Sequence, residues 1–391
     1  MTQTFDQHAA TEAYLAALSP AGHAKATAYT QGGHWILLGG AIVTLLVIWI
    51  VIRTGVLGRM VDGIERKRAH PVFASFAVAV VFSILTSVLT LPWDVYAHWW
   101  REKSYGLTSQ SLDGWLTENL IGTLIGAVFS GLFLMALYAL IRRAPKTWWA
   151  WSGGLAAAFV GLSMVLAPVF IEPIFNKYTP APPGEVRDAV VALAKEAGVP
   201  SDKIYIYNGS KQSNRYTANV SGLFSSARVA MSDVMFAKGA DIAEVRGVVG
   251  HEMGHYKRGH VLWGAAVISL LVIVMFFLVD RLFPLAARLL GSDAAGISDP
   301  AGLPVIFAVL TVLGLLATPV ASTLTRIQEA DADHFSFVHA NEPDGLAKAL
   351  VKTIEYRADS PSDLEEFIFY DHPSVRHRVE AAMAWKAAHP K

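Results

Sequence analysis

The chain has 391 residues, 53% of them hydrophobic and only 16% charged, with a formal net charge of zero and no cysteine. That balance implies neither a nucleic-acid partner nor a disulfide framework, and it leaves histidine and carboxylate to hold any metal. It suits a protein whose solvent is partly lipid.

In chain order, residues 1–33 form a polar N-terminal segment with His8, His23 and Lys25 but no apolar run, so no removed secretory signal is expected there. A four-span membrane region covers 34–171, in which 35–52, 71–93, 120–141 and 148–171 are apolar and almost uncharged. A helix needs about 20 such residues to cross about 30 Å of hydrocarbon, and it satisfies its own backbone groups where water is absent. A polar block follows over 172–260. It opens FNKYTPAPPGEV, where Pro180, Pro182 and Pro183 predict an irregular entry. The apolar spacing of Val186, Val190, Val191 and Leu193 predicts a helix over 185–197, stopped by Gly198 and Pro200. KIYIYNG, RYTANVSG and SARVAMSD alternate as three strands of a small sheet. Asp241, with Glu244 three residues on, predicts a capping box that opens the next helix. A two-span hairpin covers 261–324, and a polar tail, 325–391, is helical over 324–340, 343–355 and HPSVRHRVEAAMAWKAA. The tail must pack on the polar block, the only other polar mass large enough to complete a core.

The helix before the hairpin carries GVVGHEMGHYKRGH. His251 and His255 fall on one helix face a turn apart, so both imidazoles can meet one ion, and zinc suits nitrogen and oxygen ligands with an open position. Glu252 beside them can take a proton from the attacking water. Gly247, Gly250 and Gly254 are costly in a helix, at up to about 1 kcal/mol each, unless another backbone approaches closely. The longer metzincin pattern fails, because position 258 is Arg, position 261 is Val and His260 comes one residue too early. His260 is left as an orienting or interface residue.

The third ligand is expected in TRIQEADADHF. Glu329 and Asp333 share a helix face, so Glu329 can ligate zinc while Asp333 accepts the Nδ1 proton of a ligand histidine; Asp331 points elsewhere. Glu355, Glu365 and Glu366 are rivals without an acidic partner at that spacing. In DHPSVRHRVE one of His372 and His377 and one of Arg376 and Arg378 could stabilise an oxyanion or hold the acidic pair, and spacing alone does not choose between them. The strand ending at Gly222 could offer an edge to an extended peptide.

Taken together, PIFNKYTPAPPGE, SKQSNRYTANVSGLF, VVGHEMGHYKRGH, EADAD, HPSVRHRVE and REKSYGLTSQSL resemble the integral-membrane zinc CAAX prenyl proteases, as a bacterial member. The resemblance implies an α-helical polytopic membrane protein, a barrel of spanning helices enclosing a chamber, with a gluzincin-like α+β zinc metalloprotease domain. It implies one zinc per chain on His251, His255 and Glu329, Glu252 as base, Asp333 supporting a ligand, and His372 and Arg378 near the zinc. Its substrates would be peptides or proteins, lipidated or otherwise membrane-associated, and its place a bacterial inner membrane. Two departures stand out: six spans where eukaryotic members have seven, and Thr217, Ala218 and Asn219 where the family's substrate strand has Asn-Ala-Tyr.

The two guides to sidedness disagree. Arg53, Arg59, Arg66, Lys67 and Arg68 in one loop and Arg142, Arg143 and Lys146 in another outnumber Arg101 and Lys103 between them, which puts the catalytic face outside. Family precedent puts it in the cytoplasm, and precedent is given the greater weight. A general quality-control protease of membrane peptides fits the same residues. A transporter would need ionisable groups within the spans, and a non-catalytic scaffold would not need Glu252.

Overall fold

The computed structural model describes residues 5–66, 68–215, 217–221, 228–236, 241–352 and 357–390. Six of its helices are long and apolar enough to cross a membrane: Pro20–Thr54 (α2), Pro71–Ser104 (α4), Leu112–Arg143 (α5), Trp148–Phe175 (α6), His260–Leu290 (α9) and a last one within Pro300–Ala340. The last is α10, Leu303–Ala340. Two short helices accompany the first span, α1 (Gln7–Leu15) before it and α3 (Val56–Glu65) after it. The apolar windows of the spans are 6–33% buried, and Trp35, Leu289 and Leu316 stand 73%, 76% and 71% exposed, as expected of side chains that face lipid. Leu137, Tyr138, Trp148, Val279 and Ile306 form the buried seam where the spans meet.

The first span begins well before residue 35, because Ser19 accepts a hydrogen bond from the Gly22 N–H at 3.1 Å and Pro20 occupies the first turn. The polar N-terminal segment is therefore helical, and it is docked. Leu15 and Ala26 pack with Leu346, Val379 and Met383 of the tail. This contact puts the N-terminus on the face that carries the polar block, which four intervening spans also require.

The block folds as expected over α7 (Glu185–Ala197), whose end is capped by Gly198 with φ of 65°. The irregular entry is corrected: Tyr178–Pro180 is a strand, β1, antiparallel to β2 (Ile204–Tyr207). An edge strand tolerates proline because a missing N–H on the outer side costs no ladder bond. The sheet order is β1-β2-β4-β3, with β4 at Arg228–Ser232 parallel to β2 and β3 at Ala218–Ser221 antiparallel to β4. β3 is thus a sheet edge.

Two helices then carry the HEMGH and EADAD residues. α8, Ile242–Lys257, is capped by Asp241, whose side chain accepts from the Ala243 N–H at 2.9 Å. The other half of the expected capping box is absent among the described residues: buried Glu244 turns outward to Lys352, 2.5 Å away. α8 and α9 are separated only by Arg258 and Gly259, the glycine with φ of 67°. α10 runs unbroken from the sixth span into the EADAD segment, so the expected boundary at 324/325 falls inside one helix. The tail completes the fold with α11 (Pro343–Lys352), α12 (Asp363–Phe369) and α13 (Val375–Ala388).

The glycines of α8 mark close approaches. A Cβ on Gly254 would lie 3.0 Å from the Ala332 Cα of α10, and one on Gly247 would lie 2.8 Å from the Leu346 backbone nitrogen of α11. Ser336 of α10 donates to the Gly247 carbonyl at 2.7 Å across the same seam. These contacts clamp α8 against α10 at the level of the histidines.

Candidate metal centre

His251 and His255 on α8 and Glu329 on α10 bring one ligand atom each to within 4.8 Å of the others. His255 Nε2 is 3.1 Å from His251 Nε2 and 3.3 Å from Glu329 Oε1, and His251 Nε2 is 3.2 Å from Glu329 Oε2. Ligands at about 2.0–2.1 Å from a tetrahedral ion lie about 3.3 Å apart, so the three donors already have the spacing of a shared cation. Glu329 Oε2 is buried with no hydrogen bond of good geometry, although His251 Nε2 and His372 Nε2 each lie 3.2 Å away, a crowding of donor atoms around a carboxylate that a shared cation would organise. Two imidazoles and a carboxylate with no thiolate suit zinc.

Each histidine is held from behind. Asp333 Oδ1 lies 2.8 Å from His251 Nδ1, and Arg378 grips Asp333 with two bonds of 2.7 Å, Nε to Oδ2 and Nη2 to Oδ1. Burial opposes charge on His251, but its bonds to Asp333 and Glu329 outweigh burial and raise it to about 9. The metal-free ring therefore holds a proton that a cation at Nε2 would displace. On the other side, His260 Nδ1 is 3.0 Å from His255 Nδ1, and His260 Nε2 is 3.1 Å from Asp331 Oδ2. A cation on His255 Nε2 leaves that ring's proton on Nδ1, to be donated to His260, whose own proton then sits on Nε2 facing Asp331. Asp331 does point away from the ligands, as its helical position requires, yet it supports one of them through His260. The sequence signal for this link was the presence of His260 near the metal motif; its partner across 71 residues was not visible.

Glu252 makes no hydrogen bond or ion pair among the described residues and lines a cavity of about 250 Å³ with His251, His372, Arg378, Thr217 and Ala218. Burial raises its proton affinity, and the neighbouring histidines temper that rise. His372 Nε2 approaches Glu329 Oε2 at 3.2 Å while its Nδ1 meets Asp371 Oδ1 at 2.8 Å. Both neighbours are acceptors, so a neutral ring donates to one of them and only a protonated ring to both. Arg378 sits with Asp333, which is the acid-holding role that spacing had left open. Arg376 and His377 turn elsewhere, Arg376 to Ser360 and Glu12, and His377 to Glu366 at 3.1 Å.

Of the rival ligands, Glu365 lies 3.7 Å from His34 and Glu366 accepts from the Ser374 N–H, so neither joins the cluster; Glu355 lies outside the described residues. Thr217 Oγ1 bonds the Tyr207 hydroxyl at 2.8 Å. Asn219 pairs with Ala230 across β3 and β4, and its Oδ1 is buried without a partner. Gly222 lies outside the described residues.

The REKSYGLTSQSL loop is bonded to the segment at 212–214 that precedes this strand. Leu107 O accepts from the Asn214 N–H at 2.9 Å, Gly106 O accepts from Asn214 Nδ2 at 3.0 Å, and Thr108 donates to Gln212 O at 2.6 Å. Two stretches about a hundred residues apart therefore form one clasp, a pairing that sequence reasoning missed.

Residues 180–386 match the family described as "Peptidase family M48", and residues 3–177 match the one described as "CAAX prenyl protease N-terminal, five membrane helices". Four helices of spanning length, not five, lie in that second stretch among the described residues. A Bacillus subtilis (strain 168) protein described as "Uncharacterized metalloprotease YhfN" is 27% identical over 373 residues, 93% of this chain and 86% of its own. The CAAX prenyl protease 1 of Saccharomyces cerevisiae is 28% identical over 183 residues, 46% of this chain and 40% of its own. The crystal structure of S. mikatae Ste24p has the same fold, with a TM-score of 0.77 at 22% identity, covering 94% of this chain and 90% of that one.

Proposed function

The chain belongs to peptidase family M48 and is a membrane-embedded metallopeptidase, and on that premise we propose that it hydrolyses extended, membrane-associated peptides, with prenylated CAAX-type tails as its first substrate class. The observation that carries the chemistry is the triangle of His251, His255 and Glu329, three buried or half-buried donors at the spacing of a shared cation. Zinc held there, one per chain, would supply Lewis-acid polarisation of the scissile carbonyl and a water that ionises near neutral pH.

The chain's own residues do the rest. Glu252, unpaired and in the cavity wall, takes the proton of the attacking water and delivers it to the leaving amine. His372 offers its Nε2 proton to the developing oxyanion. Asp333 with Arg378 and His260 with Asp331 fix the two ligand rings, and the edge of β3 pairs with the substrate backbone. The CAAX preference draws on the named relatives, and a hollow interior among the spans would confine cleavage to lipid-associated chains.

Hydrolysis of a farnesylated peptide and of its unmodified counterpart tests both levels. Glu252→Gln is expected to lose at least about 10²-fold in rate while retaining zinc; equal cleavage by wild type and variant sinks the mechanism. Equal cleavage of the two peptides removes the prenyl preference alone.

The catalytic face is assigned to the cytoplasm of an inner membrane. The chain has no cysteine, so single cysteines at Lys146 and Ser109 can be labelled cleanly in intact cells. An impermeant thiol reagent should reach position 146 and not 109; the opposite pattern reverses the assignment.

A further inference from the structure

Two arginines line the cavity that holds Glu252. Arg378 is consumed by Asp333, as described above. Arg357 is different: among the described residues it forms no hydrogen bond and no ion pair. It also lines a second cavity of about 420 Å³, bounded by Tyr29, His34, Arg101, Tyr370 and His372. Arg357 and His372 are the residues common to the two cavities, so the guanidinium stands where they adjoin, beside the ring assigned to the oxyanion.

A half-buried cation without a partner is poorly placed for stability. Its five donors form a rigid fork that matches a carboxylate in two bonds. No acid among the described residues fills that fork. Asp371 feels the charge of Arg357 but spends Oδ1 on His372 and lies beyond ion-pair distance. Of the other polar lining groups of the first cavity, Thr217 is bonded to Tyr207, Arg378 to Asp333, and His251 and His372 belong to the cluster around Glu329, while Glu252 is the group assigned to the attacking water; the remaining wall of Val248, Leu346, Ala349 and Leu350 is apolar. At about 250 Å³, below the roughly 300–1,000 Å³ of a drug-sized site, the cavity admits only a short stretch of peptide.

We propose that Arg357 is the receptor for a substrate carboxylate, the C-terminal one, and so directs cleavage to bonds close to the end of a chain. This rests on the hydrolytic reading of the metal centre. It adds a specificity element that the metal motif does not contain.

The test uses the full-length protein in lipid nanodiscs and three peptides: one sequence as the free C-terminal acid and as the C-terminal amide, and the amide with its last residue replaced by Glu. Wild type is expected to favour acid over amide in kcat/KM by about 10- to 100-fold, the discrimination typical of a charge-assisted bidentate pair. Arg357→Gln should bring that ratio to about 1, and Arg357→Lys should restore part of it. Binding of the same labelled peptides to Glu252→Gln, with and without Arg357→Gln, gives the ratio without turnover, so a failure of hydrolysis and a failure of carboxylate recognition are read separately. If the Glu-terminated amide matches the acid in wild type and loses that advantage in Arg357→Gln, Arg357 reads any carboxylate at that position and the assignment to the C-terminal one is overturned. An acid-to-amide ratio near 1 in wild type, or one unchanged by Arg357→Gln, overturns the proposal.

Discussion

Replacing Gly254 by alanine sets helix propensity against interhelical packing at the metal centre. The new methyl carbon would lie 3.0 Å from Ala332 Cα, 3.1 Å from Ala332 O and 3.1 Å from Phe335 Cβ, where ordinary contact begins at 3.4 Å. Two of these three atoms are backbone, so relief requires α8 and α10 to part by about 0.4 Å, taking 3.4 Å as the target. Alanine in a helix gains about 1 kcal/mol over glycine, while overpacking costs about 1–3 kcal/mol, so the fold should lose no more than about 2 kcal/mol. The metal site is less tolerant. Metal–ligand distances hold within about 0.2 Å, and the helix that yields carries Glu329 three residues before Ala332. Gly254→Ala is therefore expected to stay folded and bind zinc on the order of tenfold more weakly, measured by competition against a chromophoric chelator. Gly314→Ala on the same α10, where nothing lies within 4 Å, should leave zinc affinity unchanged. Wild-type zinc affinity in Gly254→Ala would show that the close approach of these backbones does not set the ligand geometry.

His260→Ala and Asp331→Ala should each weaken zinc binding by about 10- to 100-fold, and the double variant should lose little more than His260→Ala alone, because both act through one ring; additive losses would break the His255–His260–Asp331 chain. At the N-terminal clasp, Asp344 accepts from the Tyr14 hydroxyl at 2.7 Å and from Lys386 at 2.7 and 2.8 Å. Burial opposes its charge, but the Lys386 and Tyr14 bonds outweigh burial and hold it below its usual value. A carboxylate lowered in the fold contributes stability above its unfolded value of about 3.8, and that stability is lost as pH falls below it. Hydrogen-exchange protection of α1 should therefore drop below about pH 4 in wild type, and Asp344→Asn should be weakly protected already at neutral pH with no drop in that window.

The spans, the HEMGH helix and the nearness of Glu329 and Asp333 to its histidines were legible in the sequence because each depends on a local repeat. Hydrophobic run length reports a membrane span, and spacing of three to four residues reports a shared helix face. The three glycines of α8 announced a close approach for the same reason, since their cost is local. Their partners on α10 and α11 are not local, and no periodicity names them. The strand at Tyr178–Pro180 hid behind its prolines, because only the assembled sheet shows that the strand lies at an edge where a missing N–H is harmless. The continuity of α10 hid behind a change of composition from lipid-facing to polar, which alters the solvent of a helix without breaking its backbone hydrogen bonds.

By itself, then, the amino-acid order marked which segments are long and apolar enough to span a membrane, which helices carry the candidate ligands and which residues those candidates are. Folding alone decided that Asp331 reaches His255 through His260, that Arg378 serves Asp333, that the loop at 101–112 clasps the segment at 212–214 ahead of β3, and that Arg357 stands near His372 with no hydrogen bond or ion pair among the described residues. Each of these is a contact between residues dozens to hundreds of positions apart, set by how whole helices pack, and side-chain spacing along one helix carries no information about its neighbour.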